Sequence, residues 1–196
     1  DDKSKVYGDG LPTLTASYNG LVNGDTSAAI GGLTLTTTAL ASSNVGTYPI
    51  TPAGATSGNY TITLVNGTLT VTKAVLTITA DDKSKVYGDV LPPFTASYSG
   101  LVNGDTSAAI SGLTLTTSAL ASSNAGTYPI TPAGATSGNY SITLVNGNLT
   151  VTKAALTITA DDKSKVYGAA LPALTASYSG LVNGDTSAAI SGLTLT

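Results

Sequence analysis

The strongest constraint on how this chain folds is that it repeats itself. Asp1-Asp2-Lys3-Ser4-Lys5-Val6-Tyr7-Gly8 returns at Asp81–Gly88 and again at Asp161–Gly168, a period of 80 residues. The first two repeats differ at few positions, among them Gly10/Val90, Leu14/Phe94 and Val45/Ala125, and most exchanges keep size or polarity. That period is too long for an ankyrin, tetratricopeptide or leucine-rich solenoid unit. It fits a string of small domains. The sequence divides into residues 1–74, a repeat lacking its first strand; 75–154, a complete repeat; and 155–196, the N-terminal half of a third.

The complete middle repeat reads as β-structure. Leu76-Thr77-Ile78-Thr79 alternates apolar and polar and predicts a half-buried strand. Asp81–Gly88 reads as a polar connection, and Leu91-Pro92-Pro93 as extended chain. Further strands are predicted at Phe94–Tyr98, Leu113–Thr116 and Gly126–Ile130, the last at a sheet edge because of Pro129. Asp105 or Thr106 caps the only helix candidate, a short turn through Ala108, Ala109 and Ile110. Tyr140–Val145 and Asn148–Thr152 flank Asn146-Gly147. Two alternating runs around Asn-Gly predict a hairpin on a type I′ turn, in which both central residues take positive φ. Apolar positions face a small core, and β-branched Thr suits the exposed face.

The junctions carry no linker. Leu149–Thr152 runs through Lys153-Ala154-Ala155 into Leu156-Thr157-Ile158-Thr159, where a flexible string needs Gly, Ser or Pro. Neighbouring repeats are therefore expected to stack end to end as a stiff rod, with roughly 30 to 45 Å per repeat for a domain of this size. First and last strands then run the same way.

Composition excludes most chemistry. The chain has no Cys, His, Met or Trp, and also no Arg, Glu or Gln. Without His or Cys there is no imidazole-activated nucleophile and no thiolate or imidazole metal site. Acid–base work falls to Asp, Lys and Tyr alone. An enzyme is not expected, and no catalytic residues or cofactor are assigned. A net charge of -3 argues against nucleic acid, which needs clustered basic residues. No window approaches the roughly 18 apolar residues of a membrane span. The lack of a leader and the position of the ends inside repeats suggest a window on a longer periodic polymer whose units are completed by neighbouring chains.

Several motifs, in order, resemble the MBG-type repeat. They are Leu76–Gly88, with Val86-Tyr87-Gly88 at its end, Ser99–Thr106, Gly126–Ile130 and Asn139–Val151. This family occurs in large bacterial surface adhesins and filamentous-haemagglutinin-like secreted proteins. The resemblance implies secretion, tandem arrays, and a stalk or adhesion role at the cell surface or in biofilm. It also implies a mostly β, β-grasp-like domain of about five strands plus one short helix. An immunoglobulin-like β-sandwich is the alternative.

Asp81-Asp82-Lys83-Ser84-Lys85 is the only charge cluster. Asp81 and Asp82 are calcium candidates, but calcium takes about six to eight oxygens, and a solvated patch that keeps edges from pairing is the preferred reading. Asp105 in Asn103-Gly104-Asp105 resembles a fragment of a calcium loop and reads as a turn and cap. Lys153 suits an interface lysine better than an isopeptide cross-link, since no acidic residue lies nearby in sequence. The Thr-x-Thr runs read as strand alternation, not an ice-binding array. Tyr87, Tyr98, Tyr128 and Tyr140 are core or half-core by default, with sugar stacking the alternative and the ligand unknown.

The expected function is a spacer, stalk or fibre segment of an extracellular adhesin. The alternatives are a filament that assembles by strand exchange and a repeat that itself binds glycan or host protein. The expected partners are neighbouring repeats of the same polymer and other molecules of the same chain.

Overall fold

The alternating runs fold as short strands in the computed structural model, which describes residues 1–196. In the first repeat, β1 (Lys3–Val6), β2 (Thr34–Thr37), β3 (Gly46–Ala53) and β4 (Gly67–Thr72) form one four-stranded sheet in the order β1-β4-β3-β2. β1 runs parallel to β4, with Lys3 opposite Leu69, and the remaining pairs are antiparallel. The second repeat contributes β5 (Ala74–Ala80), β6 (Lys83–Val86), β7 (Ala96–Ser99), β8 (Thr114–Thr117), β9 (Gly126–Ala133), β10 (Tyr140–Val145) and β11 (Gly147–Thr152). They form a three-stranded sheet, β10-β5-β7, and a four-stranded sheet, β6-β11-β9-β8, that repeats the order of the first. In the third repeat β12 (Thr157–Ala160) pairs antiparallel with β13 (Ala176–Ser179).

The fold is mostly β, as the alternation predicts. Every second residue of β4, β5 and β11 points inward, and Leu69, Leu76, Ile78 and Leu149 have no exposed surface. Burial of each such side chain stabilises by about 1.5–3 kcal/mol. Leu149 and Val151 pack with Ile130, Ala119 and Ala80, and Tyr87, Phe94, Leu115 and Tyr128 close the cluster.

Three local expectations are corrected, and one is resolved between its two alternatives. The run Asp81–Gly88 is not a mere connection, because it contains β6, hydrogen-bonded in parallel to β11 with Leu149 opposite Lys83. Asn146-Gly147 does not turn a hairpin: β10 and β11 belong to different sheets, and neither residue has positive φ. Gly147 is needed for close approach instead, since a Cβ there would lie 2.2 Å from the Ala80 carbonyl oxygen. β9 is an inner strand, not an edge. Pro129 is tolerated because Asn148 opposite it gives its N–H to Asp82 Oδ1 (2.7 Å), so Pro129–Asn148 is a non-hydrogen-bonded pair, and on the other side the pairing with β8 ends before the proline, as the matching pair in the first repeat ends at Thr37–Ile50. The short turn expected there is one 3-10 turn, Ser107–Ala109, and of its two candidate caps Thr106 is the one used.

The chain parts into two compact units whose borders ignore the 80-residue period. The first comprises Asp1–Ile78, Tyr98–Thr114 and Ala133–Leu144. It therefore holds all of the first repeat together with parts of the second. The second comprises Thr79–Ser97, Leu115–Pro132 and Val145–Thr196.

Candidate functional site at the joint between repeats

Inside the first compact unit, residues of two successive repeats meet around one carboxylate. Asn103 (φ 56°) and Gly104 (φ 76°) are both left-handed, and the Asp105 N–H closes the turn on the Val102 carbonyl at 2.9 Å. This is the type I′ chemistry expected of Asn-Gly, found here and not at 146–147. The turn holds Asp105 so that Oδ2 accepts two phenolic hydroxyls. Tyr140, from the same repeat, donates at 2.7 Å, and Tyr7, from the preceding repeat, donates at 3.1 Å. Tyr140 also accepts the Val102 N–H at 3.0 Å. The two rings meet edge to face, 5.5 Å apart at 86°, a favourable quadrupole geometry. Both tyrosines are buried.

Tyr7 is followed by Gly8, and the pair works as one device. Gly8 has φ 93°, and a Cβ there would stand 2.5 Å from Cγ2 of Val102. Any side chain would push the next repeat away. Beside it, Val45 donates its N–H to Asn139 Oδ1 (3.0 Å), and Asn139 Nδ2 donates to Asn44 Oδ1 (2.8 Å). The Ala74 N–H reaches the Asn139 carbonyl at 3.0 Å. Lys73 Nζ donates to the Ser137 carbonyl at 2.9 Å. Lys73 is the counterpart of Lys153, and it acts at the interface through a carbonyl.

Within the second compact unit the device recurs. Tyr87 donates to Asp185 Oδ2 at 3.1 Å, and a Cβ on Gly88 would lie 2.7 Å from Val182. Lys153 lines a groove there with Tyr87, Asn124 and Asp185. Asp25, in the first repeat, takes only the Tyr60 hydroxyl, at 2.6 Å and exposed.

Part of the charge cluster is built into the fold, while Asp82 and Ser84 stay exposed to solvent. Lys85 is buried, and its Nζ donates to the carbonyls of Asp89 (2.9 Å) and Ala121 (2.8 Å); Lys5 does the same with Asp9 and Ala41. The two Asp81 carboxylate oxygens accept Thr95 Oγ1 at 2.5 Å and Ser97 Oγ at 2.6 Å. Those bonds, Ser97 first and Thr95 second, hold the Asp81 carboxyl below the usual range. Asp161 is lowered in the same way by Ser177 and Thr175. Burial, and then the bond to Asp105, raises the Tyr140 phenol. The three calcium candidates thus have their oxygens in separate hydrogen-bonding tasks: Asp81 on hydroxyls, Asp82 on the Asn148 N–H and Asp105 on tyrosines. Among the other tyrosines, Tyr98 is half-buried on β7, and Tyr128 is half-buried with its hydroxyl on the Asn124 carbonyl at 2.9 Å.

Sequence reasoning placed Tyr140 in the core and Asp105 in a turn but did not join them to Tyr7. The signal was present: a Tyr-Gly pair and an Asn-Gly-Asp triplet in every repeat, at fixed spacing. The MBG domain, YGX type, matches the chain three times, over residues 1–70, 76–150 and 156–196. A search of curated proteins returned no match.

Proposed function

This chain belongs to the MBG domain family of the YGX type, and on that premise we propose that it is a structural spacer. It gives length and stiffness to a repetitive extracellular protein, as a stalk or fibre segment of an adhesin at a bacterial cell surface or in biofilm. The observation that carries this reading is the Tyr7–Asp105–Tyr140 joint, which ties the first repeat into the second through two buried tyrosines where a linker would otherwise bend. Thr72-Lys73-Ala74 leaves no slack between β4 and β5. The side-chain hydrogen bonds that recur from repeat to repeat form joints and braces, in keeping with a non-enzymatic role and with a chain that lacks His, Cys and Glu.

Small-angle scattering of chains with one to six repeats tests the proposal. Maximum dimension is expected to grow linearly, by roughly 30 to 45 Å per repeat. Growth with about the square root of repeat number, the behaviour of a flexible string, would refute it.

A further inference from the structure

We propose that Asn103-Gly104 is a self-modification site: Asn103 deamidates through a ring closed by Gly104, and the isoaspartate that results loosens the joint to the preceding repeat. Glycine after asparagine is the sequence most open to this reaction, because no side chain shields the backbone nitrogen that attacks and the backbone bends freely. Asn-Gly occurs twice in the complete second repeat, at Asn103-Gly104 and at Asn146-Gly147. The fold treats the two pairs in opposite ways.

At Asn103-Gly104 the reacting groups are free. Both residues are exposed, and the Gly104 N–H has no backbone partner. A Cβ on Gly104 would meet nothing within 4 Å, so there is room for a ring to close. The turn itself calls for this labile pair: φ is 56° at Asn103 and 76° at Gly104, and Asn-Gly is the pair that takes both angles at least cost. Asn146-Gly147 is held instead. Gly147 is buried and lies opposite Ile130 in the ladder. The neighbouring Pro129–Asn148 pair is non-hydrogen-bonded, so the Gly147 N–H is engaged with Ile130. The Ala80 carbonyl oxygen, 2.2 Å from where a Gly147 Cβ would stand, leaves no space for a ring.

The Gly104 nitrogen, its proton lost to hydroxide, attacks Asn103 Cγ. The Cγ–Nδ2 bond breaks, ammonia leaves, and a five-membered succinimide remains. Water then opens the ring on one side of the nitrogen or the other. One opening gives aspartate; the other gives isoaspartate, with the main chain rerouted through Cβ and Cγ. Each event consumes one water, releases one ammonia and needs no oxidant. Isoaspartate adds a methylene to the turn that places Asp105. In that turn the Asp105 N–H closes on the Val102 carbonyl at 2.9 Å, and Asp105 Oδ2 accepts Tyr140 at 2.7 Å and Tyr7 at 3.1 Å. Hydrogen bonds weaken steeply away from such geometry, so the tyrosine from the preceding repeat is released. The inference rests on the joint alone and is independent of the spacer reading.

The test incubates the folded 196-residue chain at mildly alkaline pH and follows asparagine, aspartate and isoaspartate at each site by peptide mapping and mass spectrometry. Asn103 is expected to convert about tenfold or more faster than Asn146, whose reaction needs local opening. In urea the two rates should converge, because both pairs are then free. Val45 and Ala74 bond to Asn139 across the joint. Their amides should exchange about tenfold or more faster in the isoaspartate form than in fresh chain. Asn103→Asp brings the charge without the extra methylene and should exchange as fresh chain does. Equal conversion at Asn103 and Asn146 in the folded chain, a gap that persists in urea, unaltered exchange in the isoaspartate form, or the same acceleration in Asn103→Asp would overturn the proposal.

Discussion

Asp25 and Asp105 lie in identical ten-residue segments, Leu21–Ile30 and Leu101–Ile110, yet they carry different loads. Replacing each in turn by Ala therefore isolates the joint from local turn effects. Asp105 accepts Tyr140 at 2.7 Å and Tyr7 at 3.1 Å, both on buried rings, whereas Asp25 accepts one exposed hydroxyl, Tyr60. A hydrogen bond to a charged group contributes about 1.5–3 kcal/mol, and a stranded buried hydroxyl adds its own desolvation cost. Tyr140 keeps the Val102 backbone as a partner, at 3.0 Å and 3.3 Å, so the stranded group is Tyr7. Asp105→Ala is expected to cost about 3–4 kcal/mol and Asp25→Ala about 1 kcal/mol or less, the discount reflecting solvent exposure. Native-state amide exchange at Val102, Tyr7 and Val45 is the suitable assay, since a chain of two units need not unfold in one step. Equal losses from the two substitutions would mean that the tyrosine from the preceding repeat contributes nothing to the joint.

Gly8→Ala meets both φ 93° and Val102 Cγ2 at 2.5 Å, and should cost about 2 kcal/mol or more; Gly168→Ala, at φ 81° with open space, should cost about 1 kcal/mol, both read by denaturant midpoint. Lys85→Met strands the Asp89 and Ala121 carbonyls and is expected to destabilise by about 2–4 kcal/mol, while Lys165→Met, exposed and bonded to a single carbonyl, should change stability by about 0.5 kcal/mol or less. The lowered Asp81 and Asp161 carboxyls bind protons less tightly folded than unfolded. Their stabilisation is therefore present above the unfolded value of about 3.9 and is lost as pH falls through the folded value. Urea midpoints between pH 2 and 6 should show this decline, reduced in a Thr95→Ala/Ser97→Ala variant. The raised Tyr140 phenol works in the other direction: its contribution is present below the unfolded value of about 10 and declines as pH rises beyond it.

The strands were legible wherever a period of two met a buried face, as in Leu76–Ala80 and Leu149–Val151. Pairing was not. Asn146-Gly147 carries a strong local hairpin signal, but its glycine answers to Ala80, 67 residues away, and the chain changes sheets there instead of turning. Pro129 suggested an edge because the sequence does not reveal which way its missing N–H points; only Asn148 donating to Asp82 does. Lys85 was read as solvated because its carbonyl partner on Ala121 is 36 residues distant. The joint was half legible: the turn at Asp105 could be read, but the tyrosine that completes it lies 98 residues back, in another repeat. Interactions at that range leave only a spacing in the sequence, repeated once per unit.

The compact units are out of phase with the sequence repeat. Native-state hydrogen exchange followed by mass spectrometry under rising denaturant measures this directly. Tyr98–Thr114 and Ala133–Leu144 are expected to open together with Asp1–Ile78. Opening of residues 75–154 as one body, with 1–74 exchanging independently, would contradict it.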